Sequence, residues 1–205
     1  MLSLDHLAIG AETLDAGAET VEATLGVRLE PGGAHPSMGT HNRLLSLGPG
    51  EYLEVIAIDP AAPPPGYPRW FALDDFRGAP RPCGWVARTN DLAQALARAP
   101  DGAGRPLTLS RAGITWDMAV PETGLLPYGG LFPALIAWSG TTHPADTLPD
   151  RGVRLRQLVL GHPEAGALRA ALAPLIDDGR LTVALSAAPH LAAEFDTPLG
   201  PRVLA

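Results

Sequence analysis

The sequence predicts an α+β protein made of repeated β-α-β-β-β units, and three observations support this. Short apolar runs of strand length dominate, with one helical pattern after each opening strand. The opening LDHLAIG at Leu4 is matched in spacing by LRQLVLG at Leu155. Two irregular stretches rich in proline and turn residues, DPAAPPPGYP and GTTHPADTLPD, interrupt the strand patterns. The expected division is a first unit over 1–58, a proline-rich linker with a short helix over 59–82, a second unit over 83–139, and a third, shorter unit over 153–205.

In the first unit, Leu4 to Gly10 reads as a strand and Ala11 to Leu25 as a helix with Leu14, Val21 and Leu25 on one face. Glu12 or Thr13 begins that helix. Val27 to Glu30 is a short strand, Gly32 to Thr40 a glycine-rich loop, and His41 to Leu47 and Glu51 to Ile58 are two strands joined by a GPG turn. In the linker, RWFALDDF is a helical turn or short helix; in the second unit, Gly84 to Thr89 is a strand and Asn90 caps a helix to about Ala99. Leu107 to Arg111, Ile114 to Val120 and Leu131 to Trp138 follow as strands. The third unit has a helix from about Pro163 to Pro174, strand-like runs at Leu181 to Leu185 and His190 to Phe195, and a last short strand after TPLG. Aligned on the glycine before the last strand, Gln157 falls on His6 and Leu204 on Glu54.

Composition narrows the function. With 205 residues the chain is long enough to bury roughly 70% of its unfolded surface. The hydrophobic fraction is 46%, yet no apolar run is long enough to span a membrane. The start MLSLDHLAIG lacks the features of a signal peptide, so a cytoplasmic protein is expected. The net charge of −7 arises without any lysine, and the arginines are scattered, which argues against a nucleic-acid partner. Without lysine, Schiff-base chemistry, pyridoxal phosphate anchoring and a nucleotide P-loop are excluded. Cys83 is the sole cysteine and reads as a buried structural thiol, so no disulfide or thiolate zinc site forms within one chain.

Glu54, inside the apolar strand YLEVIAI, is the residue that most needs a reason, because burying a carboxylate without partners costs several kcal/mol. His6, in the first strand, is a candidate partner. Either it is a satisfied strand histidine bonded to Glu54, or the two form a general acid–base pair in which the carboxylate orients the ring. His35 and His41 flank the glycine-rich loop, and both are candidates for the site. Strand alternation in Thr40-His41-Asn42-Arg43 sends either His41 and Arg43 or Thr40 and Asn42 inward. Trp70 and Trp116, with Trp85, Trp138, Phe71 and Phe132, supply either a pocket lining or ordinary core. Arg69 clamps either a substrate carboxylate or a structural acid such as Asp74 or Asp75. His143 lies in a linker that either folds over a cavity mouth or forms a surface turn.

The stretch LDHLAIG, the loop GGAHPSMGTHNRLLSLG and the strand YLEVIAI together resemble the glyoxalase-like branch of the vicinal-oxygen-chelate superfamily, which also includes ring-cleaving dioxygenases and resistance proteins. The resemblance implies curved mixed sheets that enclose a pocket, with modules one and two, or one and three, paired. It implies a metal site at His6 and Glu54 for one divalent ion such as Zn, Mn, Ni or Fe, and Asn42 turned inward to orient a ligand. The matching positions of the other modules depart from the pattern, being Gly84 and a residue near Pro133 in the second and Gln157 and Leu204 in the third. The resemblance further implies a small-molecule substrate and an enzyme of lyase or isomerase type with His6, Glu54 and His41 as catalytic residues. His35, Asn42, Arg69, Trp70 and Trp116 would contact the substrate. A metal-free protein that sequesters a small compound is the alternative within the same fold. The odd module, if its sheet is left unpaired, predicts a homodimer across a two-fold axis.

Overall fold

The computed structural model describes residues 1–111 and 113–205. The first unit comprises β1 (Ser3–Gly10), α1 (Leu14–Leu25), β2 (Glu30–His35), β3 (Thr40–Gly48) and β4 (Glu51–Ile58). A 3-10 segment at Trp70–Asp75, kinked at Phe71 and Ala72, leads to β5 (Arg81–Arg88), α2 (Leu92–Leu96), β6 (Arg105–Arg111), β7 (Ile114–Val120) and β8 (Ala134–Ser139). After α3 (Pro144–Thr147) come β9 (Arg154–His162), α4 (Ala165–Leu172), β10 (Leu181–Leu185), β11 (His190–Thr197) and β12 (Gly200–Leu204). Among the described residues, no helix is long and apolar enough to cross a membrane.

Units one and two share one eight-stranded mixed sheet in the order β2-β3-β4-β1-β5-β8-β7-β6. The two units join where β1 runs antiparallel to β5, with Leu7 opposite Trp85. The sheet curls so that its outer strands meet, Arg111 of β6 reaching His35 of β2. Ala8, Ile56, Val86, Met118 and Ile136 line the concave face, where Trp70, Phe71 and Leu73 of the 3-10 turn pack on them.

Leu7, Ile9, Leu53, Val55, Trp85 and Ala87 lie on the convex face and form the larger core with α1 and the last four strands. Thr13 accepts the Ala16 N–H at the start of α1, and Gly26 ends the helix in the left-handed region at φ 72°. Gly17 lets α1 lie close on the sheet, since a Cβ there would sit 2.6 Å from the Val55 side chain.

The third unit repeats the element order of the first but not its pairing. Its sheet runs β10-β9-β11-β12, so β12 pairs with β11 and not with the unit's first strand. The overlay of Gln157 on His6 and Leu204 on Glu54 therefore fails. Leu204 lies opposite Ala193, and the Gln157 amide donates to Thr182. The expectation that this sheet needs a second chain also loses its basis, because Leu158, Leu160, Ala193 and Phe195 are buried against the convex face of the same chain. Burial of a side chain the size of Phe195 contributes roughly 2–3 kcal/mol, and Arg180 adds a paired contact to Glu51 on the β3–β4 hairpin at 2.7 and 2.8 Å.

Three local expectations are corrected. The predicted loop at Gly32 is part of edge strand β2, which tolerates Pro31 because a bulge separates the pairs Pro31–Arg43 and Ala34–His41. Asp91, not Asn90, caps α2 by accepting the Gln94 N–H. The second linker holds a helical turn, α3, capped by a reciprocal pair in which the His143 ring accepts a backbone N–H and Asp146 accepts the His143 N–H.

Candidate functional site

The site begins with a fault in β1. Leu4 pairs with Ala87 and His6 with Val86, so Asp5 is an extra residue bulged out of the ladder. The bulge lets consecutive residues Asp5 and His6 meet, where strict alternation would send them to opposite faces. Asp5 is fully buried and accepts from His6 Nδ1 at 2.6 Å, Trp138 Nε1 at 2.9 Å and His143 Nε2 at 3.0 Å. The His143 Nδ1 accepts the Ala145 N–H, so its Nε2 carries the proton given to Asp5. Burial opposes the Asp5 charge, but the hydrogen bonds from His143 and His6 overcome it and hold the carboxyl well below the usual range.

With Nδ1 tied to Asp5, the His6 ring stacks on Tyr52 at 4.3 Å and turns Nε2 toward Glu54 Oε2, 3.6 Å away. That gap is too long for a hydrogen bond. Glu54 Oε1 accepts from Asn42 Nδ2 at 2.5 Å, and Asn42 Oδ1 in turn accepts the Gly33 N–H at 2.8 Å. The paired glycines of β2 make this possible. A Cβ on Gly32 would lie 2.0 Å from Asn42 Oδ1 and 2.6 Å from its backbone oxygen. Gly32→Ala is therefore expected to cost about 2–3 kcal/mol in urea unfolding. Gly33→Ala, whose methyl would meet only the flexible Arg111 stem at 3.1 Å, should cost under about 1 kcal/mol; equal losses would count against this account.

His35 completes the cluster. Its Nε2 accepts from Arg111 Nη1 at 2.9 Å, so its Nδ1 carries the proton and donates to Thr40 Oγ1 at 3.0 Å. Burial, with help from the Arg111 charge and against the pull of Glu54, pushes the ring down from the ordinary 6.5 to about 4. In the unfolded chain His35 takes up a proton at about 6.5, but in the fold it does so only near 4. Stability is therefore full above 6.5 and falls as pH drops through that window, by about 3 kcal/mol. The urea midpoint should fall from pH 7 to pH 4.5, and His35→Gln should flatten that fall; an unchanged slope in the variant would contradict the assignment.

Trp70, Phe71, Trp116, Met118, Ile136 and Trp138 roof the cluster and leave a space of about 20 Å³, room for roughly one water. A larger hollow of about 570 Å³, lined by Tyr67, Arg105, Leu107 and Glu122 among others, lies away from these groups. The buried histidines and carboxylates converge on the smaller space.

The family model of the glyoxalase-like domain matches residues 4–176, most of the chain. The chain belongs to that family. It is accordingly a member of the vicinal-oxygen-chelate superfamily. Among solved structures, a hypothetical protein from Staphylococcus aureus aligns with a TM-score of 0.63 at 12% identity, covering 92% of this chain and 88% of that one. A Streptomyces coelicolor methylmalonyl-CoA epimerase variant in complex with 2-nitronate-propionyl-CoA aligns at 0.46 and 17% identity, over 68% of this chain and 100% of its own. The epimerase from Mycobacterium tuberculosis aligns at 0.44 and 20%, over 67% and 88%. No curated protein matches the sequence.

Glyoxalase-like folds often hold a divalent ion between paired modules, and the donors present here do not fit one. Register places Gly84 opposite Ala8 and Ala134 opposite Val86, so the second module offers no ligand where the first has His6 and Glu54. The Phe71 ring fills the space at Gly84, where a Cβ would lie 2.6 Å from it. His35 Nε2, 3.9 Å from Glu54, is taken by the Arg111 guanidinium, a cation standing beside the place an ion would need. Among the described residues, no group of three or more His, Cys, Asp or Glu forms a metal cage, whereas catalytic ions generally have three protein ligands.

Of the residues singled out in the sequence, the glyoxalase-like site brings together His6, His35, Glu54, Trp70 and Trp116, with Asn42 behind them. It does not bring in His41, which alternates to the other face of β3 along with Arg43, whose partner is Asp15 of α1. Arg69 is also outside. It is tied to Asp74 through its backbone N–H and guanidinium, and to the Gly39 carbonyl. Asp5, Tyr52 and Arg111 were not expected there, and His143, left open between a cavity mouth and a surface turn, bonds Asp5. Cys83 is half-buried, and desolvation of its thiol together with the Glu54 charge pushes it up to about 12, which suits a structural role.

Proposed function

We propose that this glyoxalase-like protein is an enzyme that moves a proton on a small, oxygen-rich substrate, a lyase or isomerase reaction carried by Glu54 and His6. The observation that carries this is the 3.6 Å gap between His6 Nε2 and Glu54 Oε2, two buried groups each held from behind, by Asp5 and by Asn42. Such a gap suits a bridging substrate oxygen or C–H better than a direct bond. Glu54 Oε2 takes the proton from the carbon beside a carbonyl. His6, protonated at Nε2 and backed by the Asp5 charge, donates to the oxygen where negative charge gathers. Return of the proton to carbon gives isomerisation, and departure of a neighbouring substituent gives elimination. Both outcomes use only groups of this chain.

The sequestration reading draws on the tryptophan-rich lining. It differs from the proton-transfer reading in leaving the α-hydrogen of a bound compound in place. Proton NMR in D2O over a panel of small 2-oxo and 2-hydroxy compounds, neutral and acidic, tests the proposal. Loss of the α-hydrogen signal of at least one compound with wild type is expected, and no exchange across the panel would overturn it.

A further inference from the structure

We propose that Arg111 makes this site selective for carboxylates, so that the substrate is a short 2-oxo or 2-hydroxy acid whose carboxylate docks on the Arg111 guanidinium and the Trp70 indole N–H. The inference rests on the proton-transfer reading above and adds the chemical class of the substrate. Arg111 comes from the outer strand of the second module and crosses Gly33 of the first, where a Cβ would stand 3.1 Å from its Cδ. It thus lines the same space as His6 and Glu54. Its one hydrogen bond among the described residues goes to His35 Nε2 at 2.9 Å, and no acidic side chain there lies within ion-pair distance of it. This is unusual in a chain of net charge −7.

A guanidinium has five N–H groups, and a neutral imidazole orients it without cancelling its charge. His35 is in turn anchored by Thr40 at 3.0 Å, so the guanidinium is held and not spent. Trp70 supplies the second observation. Its indole nitrogen is the one buried side-chain polar atom without a hydrogen-bond partner among the described residues, and Trp70 lines the same space. A guanidinium with N–H groups to spare and an unpartnered indole N–H, lining the same space as a proton-accepting pair, match a molecule with a carboxylate at one end and an acidic C–H or oxygen next to it. The space that Arg111, Trp70, His6 and Glu54 line together is about 20 Å³, so only the shortest of such molecules are candidates, and the aromatic side chains around it must give way to admit them.

Quenching of tryptophan fluorescence is the test, with glyoxylate, pyruvate, glycolate and lactate each titrated against its own amide. At least one acid should bind wild type, with affinity for its amide weaker by about ten- to hundredfold. Arg111→Gln should lose the same factor for the acid and little for the amide, whereas Glu54→Gln should still bind the acid. Equal binding of acid and amide, undiminished acid binding in Arg111→Gln, or no acid bound at millimolar concentration would overturn the proposal. The proton-transfer reading is tested separately. Exchange on neutral carbonyl compounds alone would leave that reading standing and remove this one, and binding of acids without exchange would do the reverse.

Discussion

Asp5→Ala should destabilise the protein by about 3–5 kcal/mol, a large share of the stability of an ordinary domain. The carboxylate is the common acceptor for His6, His143 and Trp138, and Arg88 lies 3.6 Å from it. Removing it strands three N–H donors in a largely buried place, and each buried orphan costs about 1–3 kcal/mol. Asp5→Asn should fall between alanine and wild type, because an amide keeps an acceptor but turns an N–H toward donors. The pH dependence has a definite sign. Asp5 titrates below the usual carboxylate range in the fold, so its contribution is present above about pH 3.9, the unfolded value, and fades as pH falls toward the folded one. Urea unfolding followed by tryptophan fluorescence at pH 7 measures this, and a loss below about 1 kcal/mol for alanine would show that the cluster is not what holds β1 to β8 and α3.

The contrast between Asp5 and Asn42 shows what was legible in the sequence. Alternation along Thr40-His41-Asn42-Arg43 depends only on an unbroken strand, and β3 pairs without a break from Thr40 to Ser46. Asn42 and Glu54 could therefore be seen as facing one way once either was placed. Asp5 breaks alternation, and a rule of period two sends it to the face opposite His6. A trace was present in LDHL, where Leu4 and Leu7 both join the convex core with two polar residues between them. Arg111 and His143 left no such trace, because they reach the cluster from 76 and 138 residues away through sheet closure and a linker turn. The third unit misled for a related reason. Element order is written along the chain, but whether a unit's last strand pairs with its first, as β4 does with β1, is decided by which apolar faces find cover.

Glu54→Gln should slow α-hydrogen exchange by about 10²–10⁴-fold while leaving the fold as stable as wild type or more so. The two effects part because of how the carboxylate is held. Oε1 is satisfied by Asn42, and an amide oxygen can take its place. Oε2 accepts no hydrogen bond among the described residues and faces His6 Nε2 at 3.6 Å. In the variant the buried negative charge is gone, so folding keeps what catalysis loses. His6→Gln should lose exchange as well but should also lose stability, because the Asp5 acceptor at 2.6 Å and the Tyr52 stacking partner both lose the ring. Exchange rates and urea midpoints measured on the two variants separate a reacting group from a scaffold. Were Glu54→Gln instead to unfold readily, with exchange in the remaining folded fraction near wild type, the gap between His6 and Glu54 would be a structural polar contact and the acid–base assignment would fail.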